Sequence, residues 1–107
     1  MNTQATRSLS GVVEVDGLRH RWSLRHEAVW TRGEGWTGLT IVISLDEERT
    51  REAVLEFPLL PGHRLRRPKV LPAYVQAAIR AALKAGWDPN SRGKPALYVL
   101  EPGDVPV

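Results

Sequence analysis

The first half of the chain alternates apolar and polar residues, as β-strands with one buried face do. Two such strands, residues 12–15 and 18–24, flank the dipeptide Asp16-Gly17, which is typical of a two-residue hairpin turn. The turn pairs Val15 with Leu18, and a slip of one residue would bury the arginines of the second strand. The predicted inward residues are Val13, Val15, Leu18, His20, Trp22 and Leu24.

A third predicted strand, residues 39–45, has its bulkiest apolar side chains at odd-numbered positions. Continuing the apolar face of the first hairpin onto this strand pairs Ile43 with Leu24. Counting back along both strands turns Trp30 toward the core. The same count places Trp36 on the polar face, near the tip of this second hairpin.

The apolar spacing becomes helical in the last third of the chain. Pro72 lies where a first helical turn tolerates a missing N–H. Gly86 provides a left-handed cap, and Asp88-Pro89 prevents continuation. We therefore predict a helix over residues 72–85. Its apolar face consists of Val75, Ala78, Ile79, Ala82 and Leu83.

These elements predict an α+β fold with the order β-β-β-β-α-β. A four-stranded antiparallel meander, whose fourth strand is residues 52–57, is covered by the one helix. A fifth, C-terminal strand at residues 96–100 follows, and the pattern does not specify where it joins the sheet. We predict a single domain over residues 9–101, a flexible N-terminus over residues 1–8 and a loose tail over residues 102–107.

Composition excludes several classes of protein. The 107 residues include no cysteine, which excludes disulfides, thiol nucleophiles and thiolate metal sites. No apolar run approaches the roughly 20 residues that a membrane span needs. The first ten residues lack the apolar segment of a signal peptide. We therefore expect a cytoplasmic protein that is not associated with a membrane.

The net charge of +3 is concentrated in two places. Three arginines lie in the second strand, and four cations lie in a proline-flanked loop at residues 62–69. The loop cations are Arg64, Arg66, Arg67 and Lys69. They could bind phosphates or an acidic protein surface, or they could lie with their stems on the sheet and their charges in water. Glutamates share the arginine face of the sheet, which argues against a nucleic-acid platform.

Trp36 is the second candidate binding residue. It lies beside Gly35, near the tip of the predicted hairpin. Exposed aromatic side chains are enriched at interface hot spots, so Trp36 could anchor a partner. It could equally cover the end of its own hairpin.

No residue set predicts a catalytic site, a metal site or a cofactor. His20 and His26 lie six residues apart on one strand, about 20 Å, which is too far to chelate one ion. We expect them to be histidines at the edge of the core. The carboxylates of Asp46-Glu47-Glu48 lie in a charged turn and are most simply solvated, since nothing in the sequence predicts the burial that acid–base catalysis by a carboxylate would need.

The helix and its exit carry a resemblance. The residues that carry it are Pro72, Val75, Ile79-Arg80-Ala81-Ala82-Leu83, Gly86-Trp87-Asp88-Pro89 and Gly93. This segment resembles the C-terminal signature of small uncharacterised bacterial proteins of unknown function. The hairpin around Asp16-Gly17 is similar to their N-terminal region. The resemblance implies a fold and a bacterial origin, and it carries no catalytic residues.

The sequence favours a non-enzymatic bacterial binding or adaptor domain that acts through protein–protein contacts, with an immunity-type protein as one form of it. The alternative is a nucleic-acid-binding protein that uses the basic loop at residues 62–69. A small enzyme of unidentified class comes third. The partner and the oligomeric state have no signal in the sequence.

Overall fold

A computed structural model of the chain describes residues 10–33, 35–46, 50–58 and 70–104. Its elements in chain order are β1 (Ser10–Val15), β2 (Leu18–His26), β3 (Val29–Thr31), β4 (Gly35–Thr37), β5 (Thr40–Leu45), β6 (Ala53–Glu56), α1 (Pro72–Lys84), β7 (Ala96–Val99) and a 3-10 turn, Pro102–Asp104. The predicted α+β class is confirmed. Residues 1–9 and 105–107, which include the predicted flexible N-terminus, lie outside the described residues.

Five strands form one sheet in the order β1-β2-β5-β6-β7. The first four are antiparallel neighbours, and β7 pairs in parallel with β6 at the end of the sheet. The prediction of a mostly antiparallel sheet with one helix is confirmed. The structure differs from a plain meander because the chain forms a separate two-stranded sheet, β3–β4, after β2 and before β5.

The β1–β2 hairpin has the predicted register, with Val15 opposite Leu18. Asp16 and Gly17 both adopt positive φ angles, 53° and 82°, as a turn matched to the twist of the two strands requires. Val13 and Val15 are buried as predicted. Leu18 was predicted to face inward and is half exposed.

The predicted register between β2 and β5 is wrong by two residues. Ile43 lies opposite Trp22, and Ile41 lies opposite Leu24. A shift of two leaves every side chain on its predicted face, so the apolar pattern cannot detect it.

Trp30 is 49% exposed, and its prediction as a core residue is wrong. The strand that contains Trp30, β3, is not part of the five-stranded sheet, and all three of its residues are exposed. The backbone of Trp30 pairs with Trp36 in the small β3–β4 sheet.

Helix α1 ends as the sequence predicts. Gly86 has a φ of 112°, and the Trp87 N–H donates to the Ala82 carbonyl at 2.9 Å while the Gly86 N–H donates to Leu83 at 3.1 Å. This pair of bonds defines a Schellman cap. The Trp87 indole folds into the core and donates to the Arg51 carbonyl at 3.1 Å.

The core lies between α1 and one face of the five-stranded sheet. Ile41, Ile43 and Leu55 of the sheet and Val75 and Ile79 of the helix are fully buried in one cluster. Each such side chain contributes about 1.5–3 kcal/mol by leaving water. No helix in the described ranges has the length and apolar content needed to cross a membrane.

Candidate functional site

The sheet has a second face, turned away from the core cluster, which we call the outer face. The part of this face on β2 carries arginines, and we call it the charged end. The part on β6 and β7 carries Val54, Leu97 and Val99, and we call it the apolar end. The described outer-face residues are Val12, Glu14, Arg19, Arg21, Ser23, Arg25, Thr40, Val42, Ser44, Glu52, Val54, Glu56, Leu97 and Val99. The two ends have different chemistry.

The charged end is organised around Asp46. Its carboxylate accepts two hydrogen bonds from Arg21, 2.8 Å from Nη2 and 3.2 Å from Nε, and lies 3.7 Å from Nη2 of Arg19. The hydrogen bonds from Arg21, followed by the positive charges of Arg21 and Arg19, hold the pKa of Asp46 below its ordinary value against the opposing effect of desolvation. Two of the three arginine charges on β2 therefore have a carboxylate partner within the protein.

Two of the shallow concavities on the described surface are lined in part by arginines. One, of about 370 Å³, is lined on the outer face by residues that include Arg21, Ser23, Ser44 and Glu52. The other, of about 350 Å³, is lined by Thr50, Arg51, Ser91, Arg92 and Gly93. The described residues contain no group of three His, Cys, Asp or Glu side chains that could hold a metal ion.

His20 is buried in the core, and His26 is exposed. The Nδ1 of His20 lies 3.0 Å from the Leu18 carbonyl, which places its proton on Nδ1. Within the described structure Nε2 has no hydrogen-bond partner, and the ring packs 6.1 Å from that of Trp87. His20 is thus a core histidine with one hydrogen bond.

The apolar end of the outer face is formed by Val54, Leu97 and Val99, which we call the β7 patch. Val54 is buried, whereas Leu97 is 75% exposed and Val99 is 73% exposed. Leu97 lies directly beside Val54 in the β6–β7 pair. Two large apolar side chains therefore stand in solvent on the last strand of the sheet.

The backbone of β7 is open on the side away from β6. The N–H groups of Ala96 and Leu100 donate to the carbonyls of Glu52 and Glu56, both at 2.9 Å. Because successive residues of a strand direct their polar groups to opposite sides, the N–H and C=O groups of Leu97 and Val99 point away from β6. None of the strands in the described ranges pairs with that side of β7.

The stretch of free backbone hydrogen-bonding groups at this edge is limited at both ends. Pro95 precedes it and has no N–H to donate. The N–H of Glu101, at the other end, already donates to the Asp104 carboxylate at 2.9 Å. At this edge, Leu97 and Val99 therefore combine outward backbone groups with exposed apolar side chains.

The predicted binding residues do not lie in this region. Arg64, Arg66, Arg67 and Lys69 fall outside the described residues, and Trp36 is described only through its backbone, in β4. Leu97 and Val99 were not singled out from the sequence. Both are apolar residues at alternate positions of β7, which the sequence shows. This alternation indicates an exposed edge only when the order of the strands in the sheet is known.

Comparison with protein-family models, curated proteins and solved structures gives no match.

Proposed function

We propose that this chain is a non-enzymatic bacterial binding domain that acts through protein–protein contacts at the β7 patch and the open edge of β7. One observation carries the proposal: Leu97 and Val99 expose their side chains and their backbone hydrogen-bonding groups at the same edge. A segment of a partner protein that adds a strand to this edge would satisfy both.

The composition of β7 supports this role. Sheet edges in monomeric proteins are usually protected by charged side chains, proline, a bulge or a covering element, because an open edge invites pairing with another chain. The four residues of β7, Ala96–Val99, include no charge and no proline, and they pair with β6 in unbroken register. An edge of this kind is open to pairing with another chain.

The alternative, nucleic-acid binding through the basic loop at residues 62–69, receives less support from the described surface. Asp46 already pairs with Arg19 and Arg21, and Glu52 lines the same concavity as Arg21. A phosphate backbone would meet carboxylates as well as arginines there. Salt-dependent binding to single-stranded DNA that is lost in the triple variant Arg64→Glu, Arg66→Glu, Arg67→Glu would favour the alternative.

A photo-crosslinking amino acid at position 97 tests the proposal in cells. The matched control carries the same group at Val29, an apolar strand residue that is 52% exposed on the separate β3–β4 sheet. We expect a protein adduct at position 97 that is absent at position 29 and is lost on adding Val99→Lys. Equal adducts at both positions, or none at position 97, would contradict the proposal. Mass spectrometry of the adduct identifies the partner, and a toxin would indicate an immunity-type protein.

A further inference from the structure

We propose that the occupant of the β7 edge is a second copy of this chain, paired antiparallel with β7 about a two-fold axis at Tyr98. This inference rests on the proposed function of the same edge. It adds the identity of the partner, the direction of the added strand and its register.

The available backbone groups define the register. The open edge offers the N–H and C=O groups of Leu97 and Val99, and it is limited by Pro95 and by the bonded N–H of Glu101. An antiparallel copy that places Leu97 opposite the partner's Val99 uses all of them. By symmetry this gives about four interchain backbone hydrogen bonds, since each opposed pair exchanges two. A shift by two residues in one direction would place Pro95, which has no N–H, in a hydrogen-bonding position.

The same register joins the two apolar patches. A two-fold axis perpendicular to the sheet keeps the outer face of one copy level with the outer face of the other. Leu97 then contacts the partner's Val99, and Val99 contacts the partner's Leu97, as neighbouring cross-strand pairs do. Side chains that are 75% and 73% exposed in one chain would thus shield one another in the pair.

The charges that flank β7 favour an antiparallel copy. Lys94 and Glu101 are both exposed and lie beyond opposite ends of the strand. In an antiparallel pair the end of β7 that carries Lys94 meets the partner's end that carries Glu101, whereas in a parallel pair ends of like charge would meet. Because no charged side chain lies on β7 itself, nothing on the strand opposes self-pairing.

The dimer is closed and weak. A two-fold contact uses the same surface on both copies, so assembly stops at two chains. Strands of four residues bury less than the roughly 800 Å² per partner of a standard protein interface. We therefore expect a dimer that dissociates on dilution.

Sedimentation equilibrium of the purified chain provides the first test. The apparent mass should rise with concentration toward twice the 12.0 kDa of one chain. Lys94→Glu and Glu101→Lys should each raise the dissociation constant several-fold, since each places like charges together, and the double variant should restore it. A double variant that stays as weak as the single ones would overturn the antiparallel pairing, and so would a wild-type chain that remains monomeric at millimolar concentration.

Cysteine trapping tests the register, because the chain has no cysteine of its own. In the double variant Leu97→Cys, Val99→Cys, the cysteine at position 97 of one copy lies opposite the cysteine at position 99 of the other. Their Cα atoms are about 5.5 Å apart, which is within disulfide range. Leu97→Cys alone leaves the two cysteines about 8 Å apart, too far to bridge. We expect oxidised dimers from the double variant and from Tyr98→Cys, and few from Leu97→Cys alone. A dimer trapped by Leu97→Cys alone and not by the other two would overturn the register.

The two proposals fail in different ways. A monomeric purified chain whose position 97 crosslinks in cells to a different protein would overturn self-pairing and leave the binding edge in place. A monomeric chain with no adduct at position 97 would overturn both. A self-adduct at position 97 together with charge-swap rescue would support both.

Discussion

The two edges of the five-stranded sheet, β1 and β7, differ in how their open sides are protected. The outward carbonyl of Glu14 in β1 accepts a hydrogen bond from Nε2 of Gln76, a residue of α1, at 3.1 Å. Glu14 also places a charge on that edge. β7 has no charge, and its outward residues, Leu97 and Val99, are the most exposed large apolar side chains of the described chain.

The difference shows that one helix can protect one edge of a sheet and leave the other available. Gln76 of α1 reaches the open side of β1, whereas β7 lies at the opposite end of the strand order. An edge that pairs with another chain is a hazard when it is accidental and a binding site when it is specific. The remaining predictions separate the stability of the fold from the availability of its edges.

The largest effect is expected from the core that both edges share. Ile41 lies in the central strand β5 and is fully buried. Ile41→Ala should lower the free energy of unfolding by about 2–5 kcal/mol, because it removes buried methyl groups and leaves a cavity. Urea denaturation measures this, with Val42→Ala, at a half-buried outer-face position of the same strand, as the control. A loss of less than about 1 kcal/mol for Ile41→Ala would contradict the assigned core face.

A smaller effect is expected where β1 meets the core. A Cβ at Gly11 would lie 2.9 Å from Nε1 of Trp22, whose indole is buried and cannot move aside easily. Gly11→Ala should therefore cost about 1–3 kcal/mol through overpacking. Gly103→Ala is the matched control, since its added Cβ would have no neighbour within 4 Å. Similar stabilities for the two variants in thermal denaturation would be inconsistent with this close packing.

The two edges themselves should respond unequally to substitution. Gln76→Met keeps a long helix-forming side chain but removes the donor to Glu14, and should cost about 0.5–1.5 kcal/mol. Leu97→Ser should change stability by no more than about 0.5 kcal/mol, because the side chain is already in water. Both are measured by urea denaturation at a concentration where the chain is monomeric. A larger loss for Leu97→Ser than for Gln76→Met would reverse the comparison.

The smallest effect concerns the charged end of the outer face and depends on pH. Because Arg21 lowers the pKa of Asp46 in the folded chain, the ionised carboxylate stabilises the fold above its ordinary pKa of 3.8. That contribution is lost as the pH falls from 3.8 through the lower folded pKa. Asp46→Asn should therefore be less stable than the unaltered chain near pH 6, and the two should converge near pH 2. A difference in unfolding free energy that stays constant over this range would contradict the ion pair.

The elements that could be predicted from sequence depend on local signals. Asp16-Gly17 defines its turn by its backbone preference, and Gly86 ends α1 for the same reason. The face of each main strand follows from alternation. The two-residue error between β2 and β5 arose because alternation has a period of two. The error at Trp30 arose because β3 leaves the main sheet and pairs with β4, which the alternation along β2 does not reveal.

The candidate site was beyond sequence reasoning for a different reason. Whether Leu97 is buried or exposed depends on which strand lies beside β7, and that is a property of the topology. The sequence predicted a site at the cations of residues 62–69, because a cluster of charges can be recognised without knowledge of the fold. The open edge exists because β7 lies at the end of the strand order, parallel to β6, and this position has no local signal in the sequence.

The parallel pairing of β6 with β7 has a consequence for the order of folding. The antiparallel pairs join segments close in the chain, such as Ile43 with Ala53, whereas β7 brings Ala96 back to Ala53 across the whole helical connection. Closing the longer loop costs more chain entropy, so we expect β7 to join the sheet last. During synthesis the strand also emerges from the ribosome after all the others. We therefore expect the edge at Leu97 and Val99 to form only when the sheet is complete, so that association through it would select chains with a folded sheet over partly folded ones.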